Sequence, residues 1–329
     1  MKSVIITLTK LVITALFFFY IFDRVDFYQF ADIMRGAHIG LLISAFLLIC
    51  LAHFVCVLRW RILMRPLMQS PTISRTCGIY CIGMFFNLTF PTIIGGDVVK
   101  VYYVGKQSGT YVESFASVFL DRDIGMFAMM IIACCAVLFH PVSIPGIPIM
   151  LILWSVFILF IIGNIAIFTP RFHKLLYSTL LKYKHEKSAV KIDSIAKALR
   201  ITVGCPATLW KSLGISFVNQ FLGCAAVWII ALSLNIHLSM FYFLILVPVI
   251  TLISMIPISL NGMGLREYSF MSLFGAIGVA GESCIAMGFL VSFIVILSSL
   301  PGGVVYIFFR GNADAASIAA ISGNGTVMK

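Results

Sequence analysis

Long apolar runs separated by short polar segments make up most of the chain. The longest apolar runs are 41–58, 127–139, 149–168 and 289–309. A helix of about 20 apolar residues crosses the hydrocarbon core of a bilayer, and these runs with their flanks reach that length. The longest polar segment, 169–208, is too short and too basic for a soluble domain. The pattern therefore predicts an all-α polytopic membrane protein with a single transmembrane domain over residues 1–329.

The composition is typical of a membrane protein and argues against other classes of protein. Hydrophobic residues make up 61% of the chain and charged residues 11%, against about 25% charged residues in soluble domains. The net charge of +11 is explained by basic cytoplasmic loops, so no nucleic acid partner is expected. The nine cysteines lie almost entirely within apolar stretches and the six histidines do not cluster. No metal site and no cofactor are expected.

The basic residues are distributed unevenly among the connecting segments. Segments 59–75 and 169–211 are rich in Lys and Arg, whereas 140–148 and 234–240 contain neither. The positive-inside bias places the basic segments in the cytoplasm, together with both chain termini. When the spans are traced under this constraint, segment 76–112 must enter and leave the membrane on the same side. Segment 241–278 must do so as well.

This tracing predicts an inverted repeat. Each half, approximately 1–140 and 141–310, would contain three spans plus a re-entrant helical hairpin, folded at 91–96 and at 257–264 respectively. The tail 311–329 is small and polar and is expected to be disordered in the cytoplasm. Eight ordinary spans remain the alternative.

The first break in the apolar pattern carries a candidate anion site. Glycines allow the chain to turn and expose bare N–H groups, and an acidic residue after them can cap a new helix. The N-terminus of such a helix attracts anions, and a lysine one turn later adds positive charge. A capped helix break without a ligand is the alternative. The candidate residues are Asn87, Gly95, Gly96, Asp97 and Lys100.

The second break also combines glycines with polar and charged residues, and it contains more polar groups than the first. The guanidinium of Arg266 is a planar fork that suits phosphate, and Glu267 in the first turn of a new helix is favoured by the helix dipole. A purely structural pair is the alternative. The candidate substrate-binding residues of this break are Ser259, Asn261, Gly262, Gly264, Arg266 and Glu267.

Further charges lie inside or beside predicted spans. Asp121 and Arg122 lie within span 114–139, Asp121 about 12 Å below Glu113 at 1.5 Å per residue. Charges buried in a membrane need partners, and the expected partners are Lys100 and Arg266. The charged residues of this span could serve either as structural ion pairs or as substrate contacts, and both alternatives remain open. Arg59 and Arg61 flank Trp60 at the cytoplasmic end of a span. This pattern is typical of an interfacial anchor and gives a candidate headgroup contact at that face.

These motifs carry a resemblance over essentially the whole chain. Arg59-Trp60-Arg61, the Asn87 to Lys100 break, Asp121-Arg122 and above all the 257–267 break resemble the flippase-like transmembrane region of lysylphosphatidylglycerol synthases and its stand-alone relatives. The resemblance implies lipid translocation between leaflets. Because the chain stops at Lys329, the soluble aminoacyl-transferase domain of the multidomain members is expected to be absent.

The residues and the resemblance together predict a flippase of the bacterial inner membrane. It would move an anionic or glycosylated lipid through a polar cavity between the two hairpins. The expected partners are membrane lipids, namely a phospholipid, a glycolipid or a polyprenyl-linked sugar, and envelope-biosynthesis enzymes. An integral-membrane lipid-modifying enzyme and a small-solute secondary transporter remain alternatives, although an enzyme is not the expectation.

Overall fold

The computed structural model describes residues 9–17, 19–20, 26–90, 95–142, 146, 148–172, 178–179, 186–259 and 262–309. No β-strand occurs within these ranges. The helices used below are α1 (9–17), α2 (Phe27–Arg35), α3 (Ile39–Met64), α4 (Ile73–Thr89), α5 (Gly95–Ser108), α6 (Tyr111–Phe139), α7 (Ile149–Phe168), α8 (Glu186–Val203), α9 (Pro206–Ser233), α10 (Met240–Ser254), α11 (Leu265–Gly275), α12 (Gly281–Ser299) and α13 (301–309).

Five helical stretches in the described chain are long and apolar enough to cross a membrane. They are α3 with 26 residues, α6 with 29, α7 with 20, α9 with 28, and the stretch Gly281–Phe309, which joins α12 and α13. At 1.5 Å per residue, even 20 residues cover about 30 Å, the thickness of the hydrocarbon core. The prediction of an all-α polytopic membrane protein is confirmed.

Helices α3 and α9 run antiparallel at the centre of the fold. The His38 N–H at the start of α3 donates to the Ser233 carbonyl at the end of α9, over 3.0 Å. At the other end, Arg59 of α3 donates to Ser216 of α9. Small side chains such as Ala45 and Ala226 are fully buried in the core, and small residues let membrane helices approach closely. The core continues from this pair into α6, α10, α11 and α12.

Four of the helices that are too short to cross a bilayer form two packed pairs. Helices α4 and α5 have 17 and 14 residues, and α10 and α11 have 15 and 11. The predicted folding points lie between the members of each pair. Residues 91–94 and 260–261, at these points, and the tail 311–329 lie outside the described residues. The re-entrant arrangement and the inverted repeat stay predictions.

Candidate functional site

The first break is built on a close approach between α4 and α5. A β-carbon on Gly96 would overlap the carbonyl oxygen of Gly83, and one on Gly95 would overlap the side chain of Phe90. The Gly96 N–H donates to Oδ1 of Asn87 over 2.7 Å. Asn87 thus satisfies a donor at the start of α5. The expectation that Asp97 caps this helix is wrong, because Asp97 is the third residue of α5 and its carboxylate is used elsewhere.

The Asp97 carboxylate joins α5 to α6. It forms an ion pair with Nε of Arg122 and another with Nζ of Lys100, the second at 3.4 Å. The ammonium of Lys100 also lies 4.1 Å from the centroid of the Tyr80 ring, which places α4 in the same contact. Asp97 and Lys100 are both buried. Two cationic side chains thus compensate the buried carboxylate, and their contacts hold the start of α5 against α6.

A second buried ion pair involves Asp121, the residue of α6 that precedes Arg122. Nε of Arg59 lies 2.7 Å from Oδ1 of Asp121, and Nη1 of Arg59 donates to Oγ of Ser216 over 2.9 Å. The pair therefore ties α3, α6 and α9 together. Gly125 makes room for it, since a β-carbon there would lie 3.0 Å from the Arg59 guanidinium.

Two expectations are corrected by these contacts. Arg59 is only 4% exposed, so it is not an interfacial anchor. Trp60 beside it is also buried, and its indole N–H donates to Ser117 over 3.2 Å. The ion-pair partner of Asp121 is Arg59 and not Lys100 or Arg266. The packing of α3 against α6 brings Arg59 and Asp121 together. We name Arg59, Asp97, Lys100, Asp121 and Arg122 the α5–α6 charge cluster.

The second break forms a separate polar group at the start of α11. Glu267 Oε2 accepts the N–H of Gly264 over 2.6 Å, and Oε1 accepts the hydroxyl of Ser292 over 2.6 Å. Nη1 of Arg266 donates to the same Ser292 oxygen over 3.2 Å. Ser292 of α12 therefore bridges the two charged side chains.

The turn that precedes α11 depends on glycine. Gly262 and Gly264 have φ of +76° and +79°, in the left-handed region that side chains disfavour. Ser259 is buried, and its hydroxyl has no hydrogen-bond partner within the described chain. Asn261 lies outside the described residues.

A central cavity of about 440 Å³ lies between α3, α9, α10 and α12. Arg266 lines it, whereas the other charged residues that the sequence indicated are not among its lining residues. Tyr80 lines the cavity and also contacts Lys100, so this ring lies between the cavity and the α5–α6 charge cluster. The polar lining includes His53, Tyr80, Asn219, Gln220, Thr251 and Arg266.

Sequence reasoning missed most of these lining residues. Gln220 donates to the Gly125 carbonyl over 3.0 Å, and His53 contacts the Ser298 hydroxyl over 3.3 Å. Oδ1 of Asn219 is buried without a partner within the part of the chain that is described. His53 is a lone polar residue and Asn219-Gln220 a polar pair within apolar runs, and that isolation was the available signal.

The sequence of the chain matches a known protein family. A model of the family described as "Lysylphosphatidylglycerol synthase TM region" matches residues 7–304. The chain belongs to this family. The match includes both helix breaks, the α5–α6 charge cluster and every residue that lines the central cavity. The family resemblance expected from the motifs is confirmed.

One curated relative adds to the family match. A UPF0104 membrane protein of Pyrococcus horikoshii is 27% identical over 110 residues, which are 32% of this chain and 33% of that protein. The chain thus matches about a third of the length of this relative. No solved structure matches the chain. Family and helices together identify an integral, multi-pass membrane protein.

Proposed function

We propose that the protein moves an anionic or glycosylated membrane lipid between the two leaflets. The observation that carries this proposal is the position of Arg266, whose guanidinium lines the central cavity while Ser292 holds it at the start of a broken helix. Arginine binds phosphate through a fork of parallel N–H groups. The headgroup would enter the cavity and contact Arg266, and the acyl chains would stay in the bilayer.

The size and lining of the cavity support a headgroup as its occupant. Its volume of about 440 Å³ lies within the range of about 300–1,000 Å³ that is usual for small-molecule sites. Oδ1 of Asn219, which has no hydrogen-bond partner among the described residues, is an acceptor that a hydroxyl-bearing headgroup would satisfy. Phospholipids, glycolipids and polyprenyl-linked sugars all offer phosphate or hydroxyl groups, and envelope-biosynthesis enzymes would supply them.

The proposed arrangement in the membrane follows from the short helix pairs. The pairs α4–α5 and α10–α11 would be re-entrant hairpins, one in each of two inverted repeats, and would meet near mid-bilayer. Asp121 is ten residues after the start of α6 at Tyr111, which is about 15 Å along the helix. The basic segments and both termini would face the cytoplasm of a bacterial cell.

Reconstitution into liposomes tests the proposal. Purified protein would be inserted into vesicles with lipids that carry a nitrobenzoxadiazole label on an acyl chain and differ in headgroup. Dithionite added outside bleaches only the outer leaflet, so transfer appears as additional bleaching. We expect transfer with wild-type protein and its loss with Arg266→Ala, whereas Arg75→Ala, which removes an exposed cation on α4, transfers normally.

The same vesicles distinguish the rival functions. Transfer that is unaffected by Arg266→Ala would contradict the role of this residue. A change in the mass of the lipid headgroup, detected by mass spectrometry, would indicate an enzyme instead. Uptake of a soluble solute without lipid transfer would indicate a small-solute transporter.

A further inference from the structure

A second cleft lies at the end of the central helix pair, away from the cavity. It is formed by the C-terminal end of α3 and the first turns of α9, and its volume is about 380 Å³. None of its lining residues lines the central cavity. Its main lining residues are Leu58, Arg61, Ile62, Arg65, Lys211 and Ile215.

Three cations converge on this cleft without a counter-charge. Arg61, Arg65 and Lys211 all line it, and no acidic residue is among its lining residues. Arg61 is held in place because its Nε donates to the Pro71 carbonyl over 3.1 Å. That bond leaves the two Nη groups of Arg61 available for a ligand. Like charges at one cleft repel each other, and a bound anion relieves that repulsion.

The first turn of α9 adds to the positive potential. Ala207 and Thr208, the second and third residues of this 28-residue helix, line the same cleft. A helix N-terminus carries roughly half a positive elementary charge from its free N–H groups. This contribution supplements the three side chains, which by themselves define the site as cationic.

The apolar side of the cleft indicates what kind of anion it takes. Leu58, Ile62 and Ile215 form this side, and such a surface offers nothing to a free inorganic ion but packs against acyl chains. The length of α3 indicates the depth of the cleft. Helix α3 has 26 residues, about 39 Å, which exceeds a hydrocarbon core of about 30 Å, so we expect the basic residues at its C-terminal end to lie at the headgroup region.

We propose that this cleft binds the phosphodiester of an anionic diacyl lipid. Arg61, Arg65 and Lys211 contact the phosphate, and Leu58, Ile62 and Ile215 contact the upper part of the acyl chains. The site goes beyond the proposed function, since binding here requires no transfer between leaflets. The site also differs from the headgroup contact expected from the sequence, which included both Arg59 and Arg61. Arg59 is buried in its ion pair with Asp121, so of these two arginines only Arg61 lines the cleft.

Native mass spectrometry of the purified protein tests this site. The probes are phosphatidylglycerol and phosphatidylcholine with the same acyl chains, titrated into the detergent-solubilised chain. We expect wild-type protein to retain phosphatidylglycerol preferentially. In the triple variant Arg61→Gln, Arg65→Gln, Lys211→Gln its apparent affinity falls on the order of 100-fold, because each basic residue beside an anionic lipid contributes about fivefold.

A matched control separates this cleft from a diffuse charge effect. The triple variant Arg75→Gln, Lys106→Gln, Lys191→Gln removes the same charge from exposed positions elsewhere and retains the lipid as wild type does. Equal losses in both triple variants, or equal retention of the two lipids by wild type, would overturn the proposal. If a triple variant does not fold, the three single cleft variants replace it, each lowering affinity about fivefold.

Two further arms identify the ligand and keep this proposal independent of transport. Glycerol phosphate, which has no acyl chains, is expected not to displace the lipid. If it displaces the lipid at equal concentration, the site takes free phosphate esters and the lipid assignment is wrong. Lipid retention is measured without vesicles, so a failure of the leaflet-transfer assay leaves this result unchanged, and the reverse also holds.

Discussion

Gly83 and Gly96 face each other where α4 packs against α5, and a β-carbon added to Gly96 would overlap the Gly83 carbonyl oxygen. We expect Gly96→Ala to push the two helices apart and to move Asp97 away from Arg122. Overpacking of this kind costs about 1–3 kcal/mol. The measurement is thermal unfolding of purified protein together with lipid transfer in vesicles, and both should fall.

A glycine in an open position serves as the control for this variant. Gly214 lies inside α9 and has no atom within 4 Å of an added β-carbon. Gly214→Ala is expected to leave transfer unchanged, and it stabilises the helix slightly because alanine loses less backbone entropy than glycine. A Gly96→Ala protein as stable and active as Gly214→Ala would show that the helices do not need this close contact.

The buried Arg59–Asp121 pair predicts a large loss of stability when one partner is removed. In Asp121→Ala the guanidinium of Arg59 stays buried and keeps only its hydrogen bond to Ser216. An uncompensated buried charge of this kind costs about 3–5 kcal/mol. The free energy of unfolding, measured by denaturant titration in mixed micelles, should show this decrease.

An exposed ion pair is the natural comparison. Asp32 and Arg35 of α2 lie 3.5 Å apart, with side chains 76% and 82% exposed. Asp32→Ala should change the free energy of unfolding by about 1 kcal/mol or less. Similar losses at Asp121 and Asp32 would mean that burial does not strengthen the inner pair.

Ser292 is expected to matter for transfer although it carries no charge. Ser292→Ala removes the hydroxyl that joins Arg266 to Glu267. A hydrogen bond to a charged group contributes about 1.5–3 kcal/mol, so we expect transfer to fall about 10- to 100-fold. Ser292→Thr keeps the hydroxyl and should restore most of it.

The control for this variant lies two turns further along the same stretch. The hydroxyl of Ser299 donates only to the Val295 carbonyl of its own helix. Ser299→Ala should therefore transfer lipid at the wild-type rate. If both serine variants behave alike, the bridge between Arg266 and Glu267 has no part in transfer.

Gly264 should tolerate substitution by alanine less well than Gly278, although both glycines have a similar backbone conformation. Gly264 and Gly278 both have positive φ, +79° and +95°. An added β-carbon at Gly264 would lie 2.8 Å from that of Phe17, whereas at Gly278 it would meet nothing within 4 Å. Both alanine variants suffer the backbone strain of about 1–2 kcal/mol. Only Gly264→Ala should lose clearly more than that, as measured by the midpoint of thermal unfolding.

The fold could be predicted well because apolar length decides it. Runs such as 149–168 leave a chain no alternative to a bilayer-crossing helix, and α7 has those bounds. Clusters of proline, glycine and polar residues likewise indicate where a membrane helix breaks, so the breaks before α5 and α11 were visible in the sequence, whereas the single Pro248 lies inside α10.

The pairing of the site residues could not be predicted, for a physical reason. Arg59 and Asp121 are 62 positions apart, and their contact depends on which faces of α3 and α6 meet. The sequence around Ser292 and Asn219 does not say which way these side chains point, and only packing turns them towards Arg266 or the cavity. The Lys100 to Asp97 contact, three residues apart on one helix, was the kind of pair that local geometry can predict.

The five residues of the α5–α6 charge cluster, three cations and two carboxylates, have a formal charge of +1 between them. A charge held inside a bilayer responds to the membrane voltage, and moving one through 100 mV changes its energy by about 2.3 kcal/mol. Any transport step that shifts this cluster across the field should therefore proceed at different rates in polarised and depolarised vesicles. A headgroup phosphate carried across together with the cluster would offset this formal charge, so the loaded protein should respond to voltage less than the empty one.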